Sequence, residues 1–219
     1  STSSTANTAT TVNFDVGNGN TGGTLVISSY KVYVGGALNS SPTPSNTAAN
    51  ATGVDVPISS GIAANTTYSV TCVNVGTGGD SAASDAISLT SLPTAPTIAT
   101  TATNSTSGFT FTSANGNVGG TLTIDGYKVS HTPLGGSATI TSKTPTNTTA
   151  DAAAQNVVLT SLIANTQYSI TNVNTNSGSL DSASSNSITM YTLPNAPAIS
   201  FNDVSSNTTL TFTVNNNNP

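Results

Sequence analysis

The chain contains itself twice, and this self-similarity constrains its fold more than any other feature. Residues 14–34, FDVGNGNTGGTLVISSYKVYV, return as residues 111–131, FTSANGNVGGTLTIDGYKVSH. Ile62-Ala-Ala-Asn-Thr-Thr-Tyr68 returns as Leu162-Ile-Ala-Asn-Thr-Gln-Tyr168, and Leu92-Pro-Thr-Ala-Pro96 as Leu193-Pro-Asn-Ala-Pro197. The period is about a hundred residues, the size of one β-sandwich. A third copy has begun near the end, where Leu210-Thr-Phe212-Thr-Val214 matches Phe109-Thr-Phe111-Thr-Ser113 and Val12-Asn-Phe14-Asp-Val16. The expected division is a sandwich over 1–92, a second over 93–193, and a partial third repeat or donor-strand segment over 194–219.

Inside each repeat the apolar period is two. Val12, Phe14 and Val16 alternate with polar residues, as do Val54, Val56 and Ile58, and Tyr68, Val70 and Cys72. Alternation with β-branched side chains marks half-buried strands. Gly and Asn clusters, such as Gly17 to Asn20 and Gly76 to Gly79, separate the runs as turns. No stretch carries the 3.6-residue period of a helix. The fold class is therefore all-β, with tandem antiparallel sandwiches of seven strands each, and Phe14, Tyr30, Tyr68, Phe111, Tyr127 and Tyr168 are expected in the cores.

Composition bounds what such modules can do. Only 5% of the 219 residues are charged while 35% are hydrophobic, and disorder would need high net charge as well as few apolar residues. There is no Arg, Glu or Trp, and the cations are Lys31, Lys128 and Lys143. A chain with so few cations cannot neutralise phosphates, which excludes nucleic acid and anionic membrane surfaces as partners. No apolar run approaches the roughly 20 residues of a spanning helix, so membrane insertion is not expected. The lone Cys72 permits no intrachain disulfide. The chain begins without Met and is rich in Ser and Thr, and it reads as a processed or excerpted piece of an extracellular or cell-surface protein.

The landmarks resemble those of fibronectin type III domains. That family has a strand reading Ile-x-x-Tyr-x-Val, a corner reading Leu-x-Pro-x-Thr-x-Tyr, and a Pro-rich hinge. The first is similar to Ile27/Tyr30/Val32 and Ile124/Tyr127/Val129. The corner is similar to Ile62/Thr66/Tyr68 and Leu162/Thr166/Tyr168, with Ala64 and Ala164 in place of the proline. The family's usual Trp is absent, and Phe14, Phe111 and Phe212 stand in its place. The resemblance implies that Tyr68 and Tyr168 fill the core with the ring and bond the corner backbone with the hydroxyl. Cys72 becomes Asn172 in the second repeat. Either an amide is buried there, at about 1–3 kcal/mol unless partnered, or a bulge turns Val173 inward.

Chemistry-bearing residues are sparse. His131 is the only His, placed beside a Thr-Pro turn, and neither a zinc constellation nor a triad can be written around it. Asp80 and Asp85, echoed by Asp181, could offer oxygens to Ca²⁺ but read as solvated loop charge. Lys31 and Lys128 should face away from the core. Tyr33 and Tyr191 are the aromatics expected to be exposed. Sequons at Asn39, Asn50, Asn65, Asn104, Asn147 and Asn207 are no more than so Ser/Thr-rich a chain produces by chance. No catalytic, cofactor or metal residue is assigned, and the chain is expected not to be an enzyme.

The expected role is a structural subunit of an extracellular filament or surface stalk. Its partners are copies of itself in a head-to-tail polymer. The alternatives are an adhesin or binding module for surface glycans or a host receptor, and spacer domains of a secreted polysaccharide-active enzyme. Phe201, Leu210, Phe212 and Val214 are the inter-subunit contact candidates, because apolar residues in a partial repeat need a core. Strand addition to a neighbouring copy and continuation in a longer chain both accommodate them.

Overall fold

The computed structural model describes residues 3, 5–201, 209 and 211–218, and among these the regular structure is all strand. The first unit runs β1 (Val12–Val16), β2 (Ile27–Val34), β3 (Ala37–Ser40), β4 (Val54–Ile58), β5 (Thr67–Gly76), β6 (Gly79–Asp80) and β7 (Ile87–Thr90). The second runs β8 (Thr97–Asn104), β9 (Phe109–Ala114), β10 (Ile124–Pro133), β11 (Thr139–Lys143), β12 (Gln155–Leu159), β13 (Gln167–Asn176) and β14 (Ile188–Tyr191). A hairpin of β15 (Ala198–Phe201) and β16 (Phe212–Asn215) follows.

In the second unit three strands, β12-β9-β8, face four, β11-β10-β13-β14. All pairs are antiparallel, which is the layout of an immunoglobulin-like sandwich. The first unit also has seven strands but divides them differently. Two, β1 and β4, face five, in which β6 and β7 share one edge of β5. The second unit's counterpart of β6 is reduced to a single bridge, Thr175 to Asp181. Among the described residues no strand of the first unit corresponds to β8. Near the start of the chain, Ser3 and Thr5 instead give their hydroxyls to the carboxylate of Asp55 on β4.

Alternation decides which side chains enter the cores. Val12, Phe14, Val54, Val56, Ile58, Tyr30 and Val32 fill the first, and Phe109, Phe111, Tyr127, Val129, Leu159 and Ile170 the second. Five of the six aromatics expected inside are buried; Tyr68 is only half-buried. Each core tyrosine on the second strand of its pattern solves the same polar problem in the same way. Tyr30 donates to Asn18 Oδ1 at 2.7 Å and Tyr127 to Asn115 Oδ1 at 2.6 Å. Burial pushes the Tyr127 phenol up to about 12, so it stays a neutral donor.

Of the two readings of Asn172, the buried amide is the one realised. Its side chain is fully buried and donates to Ser113 Oγ at 3.0 Å. The bulge lies elsewhere, on β10 between Ile124 and Gly126, with its counterpart on β2 between Ile27 and Ser29. In the first unit Cys72 is buried in the same core as the apolar Val16, the counterpart of Ser113, and burial raises its thiol to about 11.

Candidate functional site

The most elaborate polar arrangement outside the cores lies where the two units meet, and it is built on the corner before β5. Ala63 N donates to the Tyr68 hydroxyl at 2.6 Å, and Ser91 Oγ donates to Ala63 O at 2.7 Å while accepting from Thr66 N at 3.1 Å. These bonds hold Asn65 in the left-handed region, at φ 56, which Asn tolerates better than other side-chain-bearing residues.

Asn65 is fully buried, and each of its polar atoms is bonded. Its N–H donates to Leu92 O at 3.1 Å, and its carbonyl accepts from Thr121 N and Leu122 N, both at 3.1 Å. Its side-chain amide donates to Leu122 O at 2.6 Å, and its Oδ1 accepts from Asn176 Nδ2 at 2.9 Å. Asn176 is fixed in turn, its Oδ1 accepting from Gly178 N and Leu180 N at 3.0 and 2.9 Å. Gly120 makes the approach possible. A Cβ there would lie 2.9 Å from Ala64 O and 3.1 Å from Ala150 Cβ.

The linker is tied down as well. Thr94 donates from N and Oγ1 to Asn117 Oδ1 at 2.6 and 2.9 Å, and its carbonyl accepts from Asn174 Nδ2 at 3.3 Å. A Pro-containing hinge, Leu92–Pro96, thus spans a joint of directed hydrogen bonds. Recognition of a neighbouring module by backbone and amide groups is what this arrangement can do; it offers no nucleophile or general base.

The other sequence-derived candidates are scattered. Lys31 and Lys128 lie on the outer surface, Lys31 in an ion pair with Asp80 of β6 and Lys128 in one with Asp181, its counterpart in the second unit. The Lys128 ammonium holds the Asp181 carboxyl below its ordinary range, and Thr175 Oγ1 assists at 2.8 Å. Among the described residues no group of three or more His, Cys, Asp or Glu side chains is placed to hold a metal ion. His131 lies near the end of β10, beside Thr132 and Pro133, as expected. Its Nε2 is 3.0 Å from Thr141 Oγ1, its ring lies beside Tyr168, and burial lowers its pKa. Tyr191 is exposed and Tyr33 only partly so. Among the described residues no helix is long and apolar enough to cross a membrane.

Phe201, Phe212 and Val214 sit on the β15–β16 hairpin with 66%, 59% and 52% of their surface exposed. Leu210 and Val204 lie outside the described residues. Sequence reading took Asn65 only as a sequon and passed over Asn176 and Gly120. Two signals were present: Ala-Asn-Thr recurs before each corner tyrosine, and a Gly-Gly doublet recurs at Gly22-Gly23 and Gly119-Gly120.

These features define a class, the non-covalently jointed tandem β-sandwich. No family model matches the sequence, and no curated protein matches it. In structure the chain is similar to several solved tandem fibronectin type III modules. A two-domain fibronectin type III segment of chicken tenascin is 16% identical, with 86% of this chain and 95% of that one covered, at a TM-score of 0.45. The fibronectin(III)-like modules of Clostridium thermocellum CbhA are 15% identical over 85% and 87% of the two chains, at 0.34. The FN1–FN3 domains of chicken CNTN1 are 13% identical over 85% and 61%, at 0.37.

Proposed function

We propose that the chain is a non-catalytic structural subunit of an extracellular filament or surface stalk, extended head to tail by copies of itself. The observation that carries this reading is Asn65, each of whose polar atoms is hydrogen-bonded to its own unit or to the next module. A joint that fixes one module on the next supports a rod, whereas display of binding loops requires no such fixation. The polar composition supports an extracellular setting, since hydroxyls and amides, with a net charge of −5, keep the faces solvated.

Negative-stain microscopy of the native material tests the proposal. Unbranched fibres of uniform diameter are the expected result. Isolated beaded rods that bind cells or glycans would replace it with the adhesin reading.

A further inference from the structure

We infer that Asn18 and Asn115 are modification sites, converted to aspartate or isoaspartate when their own unit unfolds and held inert while it is folded. Each unit thereby keeps a lasting chemical mark of having been open, whether or not copies of the chain assemble.

The chain has two Asn-Gly dipeptides, Asn18-Gly19 and Asn115-Gly116, and they are counterparts in the repeat, each just beyond a core strand. In an open chain this is the most labile setting for an asparagine, because glycine has no Cβ to hinder its own backbone nitrogen. That nitrogen gives its proton to hydroxide and bonds to the asparagine Cγ. The Cγ–Nδ2 bond breaks, and Nδ2 takes a proton from water and leaves as ammonia. Water then opens the cyclic imide at either carbonyl. One water is consumed and one ammonia released, with no oxidation or reduction.

The fold requires both members of the labile pair. Gly19 and Gly116 have φ of 70 and 71, in the left-handed region that most side chains enter only at a cost. Asn18 and Asn115 supply the side-chain oxygens that accept from the core tyrosines Tyr30 and Tyr127. Without them a buried hydroxyl would lose its acceptor.

The same fold disarms the pair. Asn18 is 5% exposed and Asn115 is fully buried. Besides accepting from the tyrosine at Oδ1, each donates from Nδ2, to Ala48 O and Thr149 O respectively, both at 2.8 Å. The backbone is held too. Asn18 N donates to Ala51 O and Asn115 N to Ala152 O, at 2.8 and 3.1 Å. Their carbonyls accept from Asn74 Nδ2 and Asn174 Nδ2, both at 3.0 Å. Ring closure must turn the side-chain amide towards the glycine nitrogen, which breaks both of its hydrogen bonds in a place closed to hydroxide. Conversion therefore waits for the unit to open, and its rate follows the fraction open.

The product does not fit the place it came from. Aspartate lacks the Nδ2 donor and sets a carboxylate oxygen against the carbonyl of Ala48 or Thr149. Isoaspartate also lengthens the backbone by one carbon within the turn. A buried carboxylate facing a carbonyl is costly, so a marked unit refolds poorly and the mark is one-way.

Incubation at mildly alkaline pH with and without guanidinium chloride, followed by peptide mapping with mass spectrometry, tests this. In native buffer both sites should convert at least about a hundredfold more slowly than in denaturant. Ile58 is buried and pairs with Val12, at the end of β1 away from Asn18. Ile58→Ala should speed conversion at Asn18 in native buffer by about tenfold or more, through its effect on unfolding alone. Asn18→Asp should lower the guanidinium midpoint. Equal rates in native buffer and in denaturant would overturn the protection, as would an Ile58→Ala protein with a lowered midpoint and unchanged conversion. An Asn18→Asp protein with an unchanged midpoint would overturn the one-way mark.

Discussion

The side-chain oxygen of Asn65 accepts a hydrogen bond of 2.9 Å from the side-chain amide of Asn176, two buried residues 111 positions apart. The bond joins a loop corner of one unit to a strand end of the next. Without it Asn65 Oδ1 and Asn176 Nδ2 would be buried unpaired, so Asn65→Gly, which keeps the backbone conformation but strands Asn176 Nδ2, should weaken the joint by about 2–3 kcal/mol. Urea unfolding should change from one coupled transition to two. An unaltered single transition would show that Asn65 does not couple the units.

Gly120 and Gly23 provide an internal control. An alanine at either meets the same neighbours within its own unit, and only Gly120 also meets Ala64 O. Gly120→Ala should therefore be more destabilising than Gly23→Ala by about 1–2 kcal/mol. Equal losses in thermal melts would remove the joint from the explanation.

The Cys72 and Asn172 positions form a second matched pair. Ser113 accepts from the Asn172 amide nitrogen, while Cys72 shares its core with the apolar Val16. Cys72→Asn alone should destabilise the first unit by about 1–3 kcal/mol, and adding Val16→Ser should recover most of that. A double-mutant cycle with no coupling would contradict the pairing.

Burial lowers the pKa of His131. The unfolded chain takes up a proton near the ordinary value of about 6.5, and the folded chain resists it until a lower pH. Stability should therefore fall as pH drops from above 6.5 to the folded pKa, then level off. His131→Val, which places the first repeat's Val34 side chain there, should flatten that slope. Urea midpoints at pH 7.5 and 5 measure it; an identical slope in both proteins would count against the assignment.

The strands, cores and corner tyrosines were legible because alternation and the repeat report burial directly. Tyr30 and Tyr127 could be placed inside from their neighbours Val32 and Val129. The joint was not legible, because Asn65 reads as a turn residue or a sequon, and its worth depends on Leu122 and Asn176, which only the docking of two units brings close. The ion pairs of Lys31 with Asp80 and Lys128 with Asp181 were hidden because the partners are about fifty residues apart in the chain and meet only in the folded unit.

Sedimentation velocity across a concentration series tests the head-to-tail account most directly. A contact that does not close should give a weight-average sedimentation coefficient that rises with concentration without a plateau at the dimer. A single species of 21.6 kDa, unchanged at every concentration, would contradict it.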